Sequence, residues 1–192
     1  SYCRNLGIKI AKGRYIIFLD SDDELKRNSL SKIEKILYKY RYDLVLCLEF
    51  KFNKWRIDPK KIKQINNVNS FITYENKERV YNPNCWNMIL NKSFLLRKKL
   101  FFKKIDIFED QVFCTEVLLA AKKIKVIPFS FYNYIQRPFS LSRKTNYLAL
   151  KSCLYALINF LEILKNSSLT NNKIIFIQNR MNFITNNIKK YI

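Results

Sequence analysis

Apolar positions fall into short blocks and periodic stripes. The run 15–19 lies between Gly13 and the acidic stretch Asp20-Ser21-Asp22-Asp23, and predicts a buried strand ending in an acidic turn. Upstream, 5–12 has helical spacing, with Leu6, Ile10 and Ala11 on one side and Gly13 at a C-cap position. Leu30, Ile33, Ile36, Leu37 and Tyr40 form the stripe of a helix over 27–41, and 43–50 predicts a second buried strand. The region 51–82 is polar and weakly periodic, a long excursion with no firm element. Beyond it, 85–90 predicts a strand, 92–99 a short helix and 108–122 a longer helix. The acidic start and Lys122-Lys123 end of that helix suit the helix dipole. Short strands follow at 125–127 and 129–135, around Pro128.

After residue 142 the texture changes. Leu150, Leu154, Leu157, Leu161 and Leu164 recur at 4-3-4-3, and Ile174, Ile177, Met181, Ile184 and Ile188 at 3-4-3-4. The polar turn between them predicts a two-helix hairpin with each stripe facing the partner helix or the main domain. Lys151 and Glu162 interrupt the longest apolar stretch, so no uncharged run long enough to span a bilayer is expected. Strands mixed with helices place the chain in the α/β class.

With 192 residues, 48% of them hydrophobic, the chain can bury one good core. The formal charge of +21 draws a protein toward nucleic acid, anionic lipid and phosphorylated substrates. Abundant Lys, Asn, Ile, Phe and Tyr are also what AT-rich codons supply, so charge alone does not choose the partner. A basic nucleic-acid- or membrane-surface-binding module without catalysis is therefore the alternative reading, although no nucleic-acid-binding motif accompanies the charge. The sequence has no His, which excludes a His-ligated zinc site and Ser-His or Cys-His triads within this chain. Five scattered cysteines, without a CxxC pair, predict reduced and mostly buried thiols.

The acidic turn carries candidate chemistry. In an extended segment, residues two apart point the same way, so Asp20 and Asp22 can offer carboxylates together to Mg²⁺ or Mn²⁺. The plain alternative is that Asp22 or Asp23 caps the following helix.

Three segments widen the pattern: Arg4-Asn5-Leu6-Gly7-Ile8, Ala11-Lys12-Gly13-Arg14-Tyr15 and Ile17-Phe18-Leu19-Asp20-Ser21-Asp22-Asp23. Together they resemble the ARNxGxxxAxGxYIxFLDSDD signature of family 2 glycosyltransferases of the GT-A fold, with Cys3 in place of Ala. Trp86 with Asn91–Leu95, Phe102 with Ile107, Glu109, Asp110 and Phe113, and Tyr132-x-Tyr134 with Arg137, Ser140 and Ser142 resemble later segments of that family. The resemblance implies a partial GT-A catalytic domain, Rossmann-like, over 1–142, followed by a C-terminal helical hairpin over 143–192. It also implies an N-terminal nucleotide-binding βαβ half that lies outside this sequence, so that this piece is expected to be inactive alone, with an uncovered sheet edge.

The implied reaction moves a sugar from a nucleotide-diphosphate donor to an acceptor hydroxyl with inversion. Asp110 is the implied base, with Glu109 its neighbour in the substrate site. Asp22 and Asp20 form the DXD motif for Mg²⁺ or Mn²⁺, and Asp20 and Arg4 approach the donor. Trp86 is an acceptor wall, and Arg137 touches the diphosphate. The implied partners are a nucleotide-sugar donor and a glycan or lipid-linked acceptor, with no specific nucleic acid; separately, the basic C-terminal hairpin is expected to make peripheral contact with anionic membrane. The implied setting is the cytoplasm, at the inner face of a bacterial membrane, in surface-glycan synthesis. Lys173, Arg180, Lys189 and Lys190 are expected to face outward on the hairpin.

Overall fold

Short runs with no polar face can be buried only between layers, and the strands of this chain sit there. The computed structural model describes residues 1–47, 62, 64–78, 84–135, 147–165 and 168–188. In chain order these form α1 (Tyr2–Ile10), β1 (Tyr15–Ile17), β2 (Glu24–Leu25), α2 (Ser29–Lys39), β3 (Leu44–Cys47) and α3 (Val68–Glu78). A 3₁₀ turn at Cys85–Asn87 leads into β4 (Met88–Asn91), α4 (Lys92–Arg97), α5 (Glu109–Ala120), β5 (Ile124–Ile127) and β6 (Tyr132–Asn133). The hairpin is α6 (Tyr147–Leu164) and α7 (Asn171–Ile188).

The main sheet has the order β1-β4-β3-β5. β4 is antiparallel to both β1 and β3, with Ile17 opposite Ile89 and Leu46 opposite Met88, and β3 and β5 are parallel. Alternate residues feed two cores. Leu44, Leu46, Met88 and Leu90 meet Phe71, Phe94, Phe113 and Phe176 on one face. Val45, Ile89 and Ile127 meet Ile33 of α2, Phe131 and Tyr132 on the other. A separate ribbon pairs β2 with β6, Leu25 opposite Tyr132, and carries the segment after β5 across the acidic turn. A third core, Ile105 and Val112 with Cys153, Phe160, Ile177 and Ile184, fastens the hairpin to α5.

Several expectations change. In α1 it is Ile8 that is buried, while Leu6 and Ile10 are exposed. Arg4, one turn before Ile8, therefore lies on the inward side. The helix ends at Ala11, whose N–H bonds the Gly7 carbonyl, not at Gly13, which has no positive φ. Leu30 and Tyr40 are exposed on α2, leaving Ile33, Ile36 and Leu37 to pack. The excursion 51–82 contains α3, whose Val68, Phe71, Ile72 and Glu75 are buried, and residues 51–61, 63 and 79–82 lie outside the described residues. Residues 85–87 are a turn rather than strand. The expected strand residues 48–50 lie outside the described residues.

The hairpin forms, but α6 is rotated relative to its leucines. Ala149, Ser152, Cys153, Ala156 and Phe160 are buried, whereas Leu154 and Leu161 are half exposed. Small residues let the helix axis approach α5 and α7 closely, which outweighs the larger apolar area of the leucine stripe. On α7, Ile177 and Ile184 are buried as expected, together with Phe176 and Arg180. Arg180 does not face outward: its guanidinium bonds the buried Glu75 of α3 at 2.7 Å. Lys189 and Lys190 lie outside the described residues. None of the five cysteines forms a disulfide, and four are buried.

Candidate functional site

Arg4 of α1 gathers the predicted acids. Its Nη2 donates to Asp20 Oδ1 at 2.9 Å, and its Nη1 donates to Glu109 Oε1 at 2.6 Å and Asp110 Oδ1 at 2.9 Å. Residues from the first helix, the turn after β1 and the start of α5 thus meet at one guanidinium, which also lies over the Phe102 ring at 5.4 Å. Asn5 fixes the helix that presents Arg4: its side-chain amide donates to the Phe102 carbonyl and accepts from the Phe102 N–H, both at 2.8 Å.

Asp110 is held on both oxygens. Oδ2 accepts the Cys85 N–H at 3.0 Å, while Oδ1 accepts from Arg4. Each carboxylate oxygen has two lone pairs, so these donors fix its orientation and leave capacity to accept a proton. A helix N-terminus would favour the ionised form, but burial prevails. The Asp110 carboxyl is pushed above its ordinary value, with Arg4 and the Cys85 N–H opposing incompletely. Burial, and then repulsion by Asp110, likewise raise Glu109. The residue before the two acids, Phe108, has φ 70°, a left-handed conformation that costs a bulky side chain about 1–2 kcal/mol. Local strain therefore sits immediately beside the acidic pair.

The acidic turn is not a helix cap. α2 begins six residues after Asp23, behind Asn28, with no side-chain cap. Asp23 instead is buried and accepts the Tyr132 hydroxyl at 2.6 Å and the Ile135 N–H at 2.8 Å. The same hydroxyl accepts the Asp20 N–H at 3.1 Å. Burial, then the bond to Asp23, hold the Tyr132 phenol well above its usual value, so it stays a neutral donor. Trp86 stacks on Tyr132 at 4.8 Å and on Tyr134 at 6.0 Å, tying the 3₁₀ turn that carries Cys85 to the ribbon that holds the acidic turn.

For a divalent cation the donor chemistry of Asp20 and part-exposed Asp22 fits a hard ion that takes its other ligands from water or phosphate. Among the described residues no group of three Asp, Glu or Cys side chains could enclose a metal by itself. The site thus brings together Arg4, Asp20, Glu109 and Asp110. Trp86 adjoins it through Cys85 and Tyr132, and Arg137, with Ser140 and Ser142, lies outside the described residues.

The family model for glycosyl transferase family 2 matches residues 1–102, more than half of the sequence. The chain belongs to glycosyl transferase family 2. This family 2 chain is 29% identical over 124 residues to the poly(ribitol-phosphate) β-N-acetylglucosaminyltransferase TarP of Staphylococcus aureus, covering 64% of the chain and 37% of TarP. It is 31% identical over 136 residues to a poly(ribitol-phosphate) β-glucosyltransferase of Bacillus spizizenii, covering 70% and 21%. The crystal structure of S. aureus TarS 1-349 in complex with UDP-GlcNAc superposes with a TM-score of 0.60 at 19% identity, over 98% of this chain and 50% of that one. The fold is GT-A. The family 2 chain spans well under half of either sequence relative.

Sequence reasoning missed two members of the site. Cys85 and Tyr132 bond the acids directly, and neither residue type advertises such a role. Tyr132 lies in a family-like segment that gives it no role, and Cys85 carries no signal, because its backbone N–H does the work.

Proposed function

We propose that this chain forms the acceptor-side part of a nucleotide-sugar glycosyltransferase that acts with inversion. The observation carrying the reading is the Arg4 hub, which draws Asp20, Glu109 and Asp110 together from positions far apart in sequence. One cation among three carboxylates leaves excess negative charge beside the turn that presents Asp22, an environment suited to a divalent ion.

In this reading the acceptor hydroxyl attacks the anomeric carbon and gives its proton to Asp110. The carbon–oxygen bond to the nucleoside diphosphate breaks, and the diphosphate leaves with the bonding pair. Mg²⁺ or Mn²⁺, held by Asp22 and Asp20, would supply positive charge to that leaving group. Arg4 holds Asp110 and Asp20 in register, and Glu109 shares its charge. Trp86 and Tyr134 border the acceptor side, and Arg137 approaches the diphosphate. The relatives' activities on poly(ribitol-phosphate) support a glycan acceptor, which in this reading is free or lipid-linked and belongs to a bacterial surface polymer. The cytoplasm is the site of action in this reading. Incubating the full-length protein with a panel of UDP-, GDP- and dTDP-sugars, with Mn²⁺ and polyribitol phosphate, tests the reading. Release of nucleoside diphosphate from one donor class is expected, and silence across the panel with a folded protein contradicts it.

A further inference from the structure

We propose that the outer face of α6 docks on an anionic lipid surface, lying in the interface plane. The face is one stripe at 4-3-4-3-4 spacing: Tyr147, Lys151, Leu154, Ile158, Leu161 and Lys165. Leu154, Ile158 and Leu161 are each about half exposed (51%, 52% and 50%), and Tyr155 beside them is 46% exposed. Four large apolar side chains in one patch are more than scattered surface hydrophobics. By length and composition α6 could cross a membrane, so Lys151 and Glu162 do not remove it from that class. Its opposite side is nevertheless packed: Cys153, Ala156 and Phe160 lie in the core shared with α5 and α7. A helix held along one side by its own domain can offer only its other side, and so lies on a bilayer rather than through it.

Charge selects the occupant. The apolar centre is flanked by Lys151 and Lys165, and the Lys151 amine reaches back over the Tyr155 ring at 5.8 Å, the arrangement of a cation at a lipid interface. Glu162, the single acid of α6, is paired with Lys165 at 2.7 Å, and α7 contains no acid. The whole sequence carries +21. A second copy would bring the same lysines and the same net charge against this face, whereas anionic headgroups attract both. This inference does not depend on the catalytic reading.

Flotation of the full chain with phosphatidylcholine vesicles, with and without phosphatidylglycerol, tests it. Wild type should float only with the anionic vesicles, and less at high salt. Ile158→Asp should lower the partition coefficient about tenfold or more, through the lost apolar burial and the added negative charge. Leu30→Asp, the same change of charge on the exposed side of α2, should float like wild type. Equal loss in both variants would reduce the effect to bulk charge and overturn the proposal. So would a wild-type dimer in sedimentation velocity that Ile158→Asp dissociates, because a second copy would then cover the face. Amide hydrogen exchange of wild type on vesicles gives a readout independent of any variant. Slowing confined to 147–164 supports the docking face, and no slowing there contradicts it.

Discussion

Replacing Arg4 with Gln removes the cation that bonds three carboxylates and leaves a side chain of similar reach. Three charge-assisted bonds of 2.6–2.9 Å are lost. Breaking a fully buried ion pair by deleting one partner costs about 3–5 kcal/mol. Here the side chains of Arg4, Glu109 and Asp110 retain 23%, 17% and 17% exposure and that of Asp20 37%, so solvent screening reduces the loss to about 2–3 kcal/mol at pH 7. The pH dependence follows from burial, which already raises Asp110 and Glu109, whereas Arg4 pulls both down. Without Arg4 they rise further. A carboxyl whose folded pKa exceeds its unfolded value binds protons more tightly when folded, so its stability contribution is full at low pH and is lost as pH rises through the folded pKa. The deficit of Arg4→Gln should therefore be largest at neutral pH and shrink on acidification toward pH ~4. Urea unfolding of both proteins at neutral and acidic pH measures it. A deficit unchanged by pH, or below about 0.5 kcal/mol at pH 7, refutes the hub, since that is the size of an ordinary surface substitution.

Arg180→Ala should cost about 3–5 kcal/mol by leaving Glu75 charged and buried, and Glu75→Gln with Arg180→Met should recover most of it; chemical denaturation of the three proteins checks the pattern. Tyr132→Phe removes the donor to Asp23 and the acceptor for the Asp20 N–H, so the melting temperature should fall by an amount equivalent to about 1–3 kcal/mol, and the donor KM should rise. In the full-length enzyme the acid limb of kcat/KM should lie above the ordinary carboxylate range, because the base must be deprotonated and burial raises Asp110; a pH–rate profile that stays flat down to the usual Asp range contradicts this.

The sheet and α5 were legible because their signals are local. A run such as Leu44–Cys47, apolar at every position, has only one place to go, and an acidic first turn at Glu109-Asp110 marks a helix start. The acidic turn was legible through its extended motif. The hairpin shows where local pattern stops: 4-3-4-3 leucines predicted the buried face of α6, yet the fold buries Ala149, Cys153 and Ala156, because close helix approach is a property of the partner as much as of the stripe. Helix α3 hid in a polar stretch because its buried Glu75 reads as surface until Arg180, over a hundred residues later, neutralises it. Arg4 was assigned to the donor, and its three bonds to acids could not be read from spacing, since they join residues 16, 105 and 106 positions apart.

The most direct test of the catalytic assignment is Asp110→Asn in the full-length enzyme, comparing donor affinity by calorimetry with turnover. The amide keeps the shape and loses the proton acceptor. Turnover should fall by about 10²–10⁴-fold, the range set by a positioned base, while donor affinity stays within about threefold. Turnover near the wild-type rate, with donor affinity intact, would contradict Asp110 as the base.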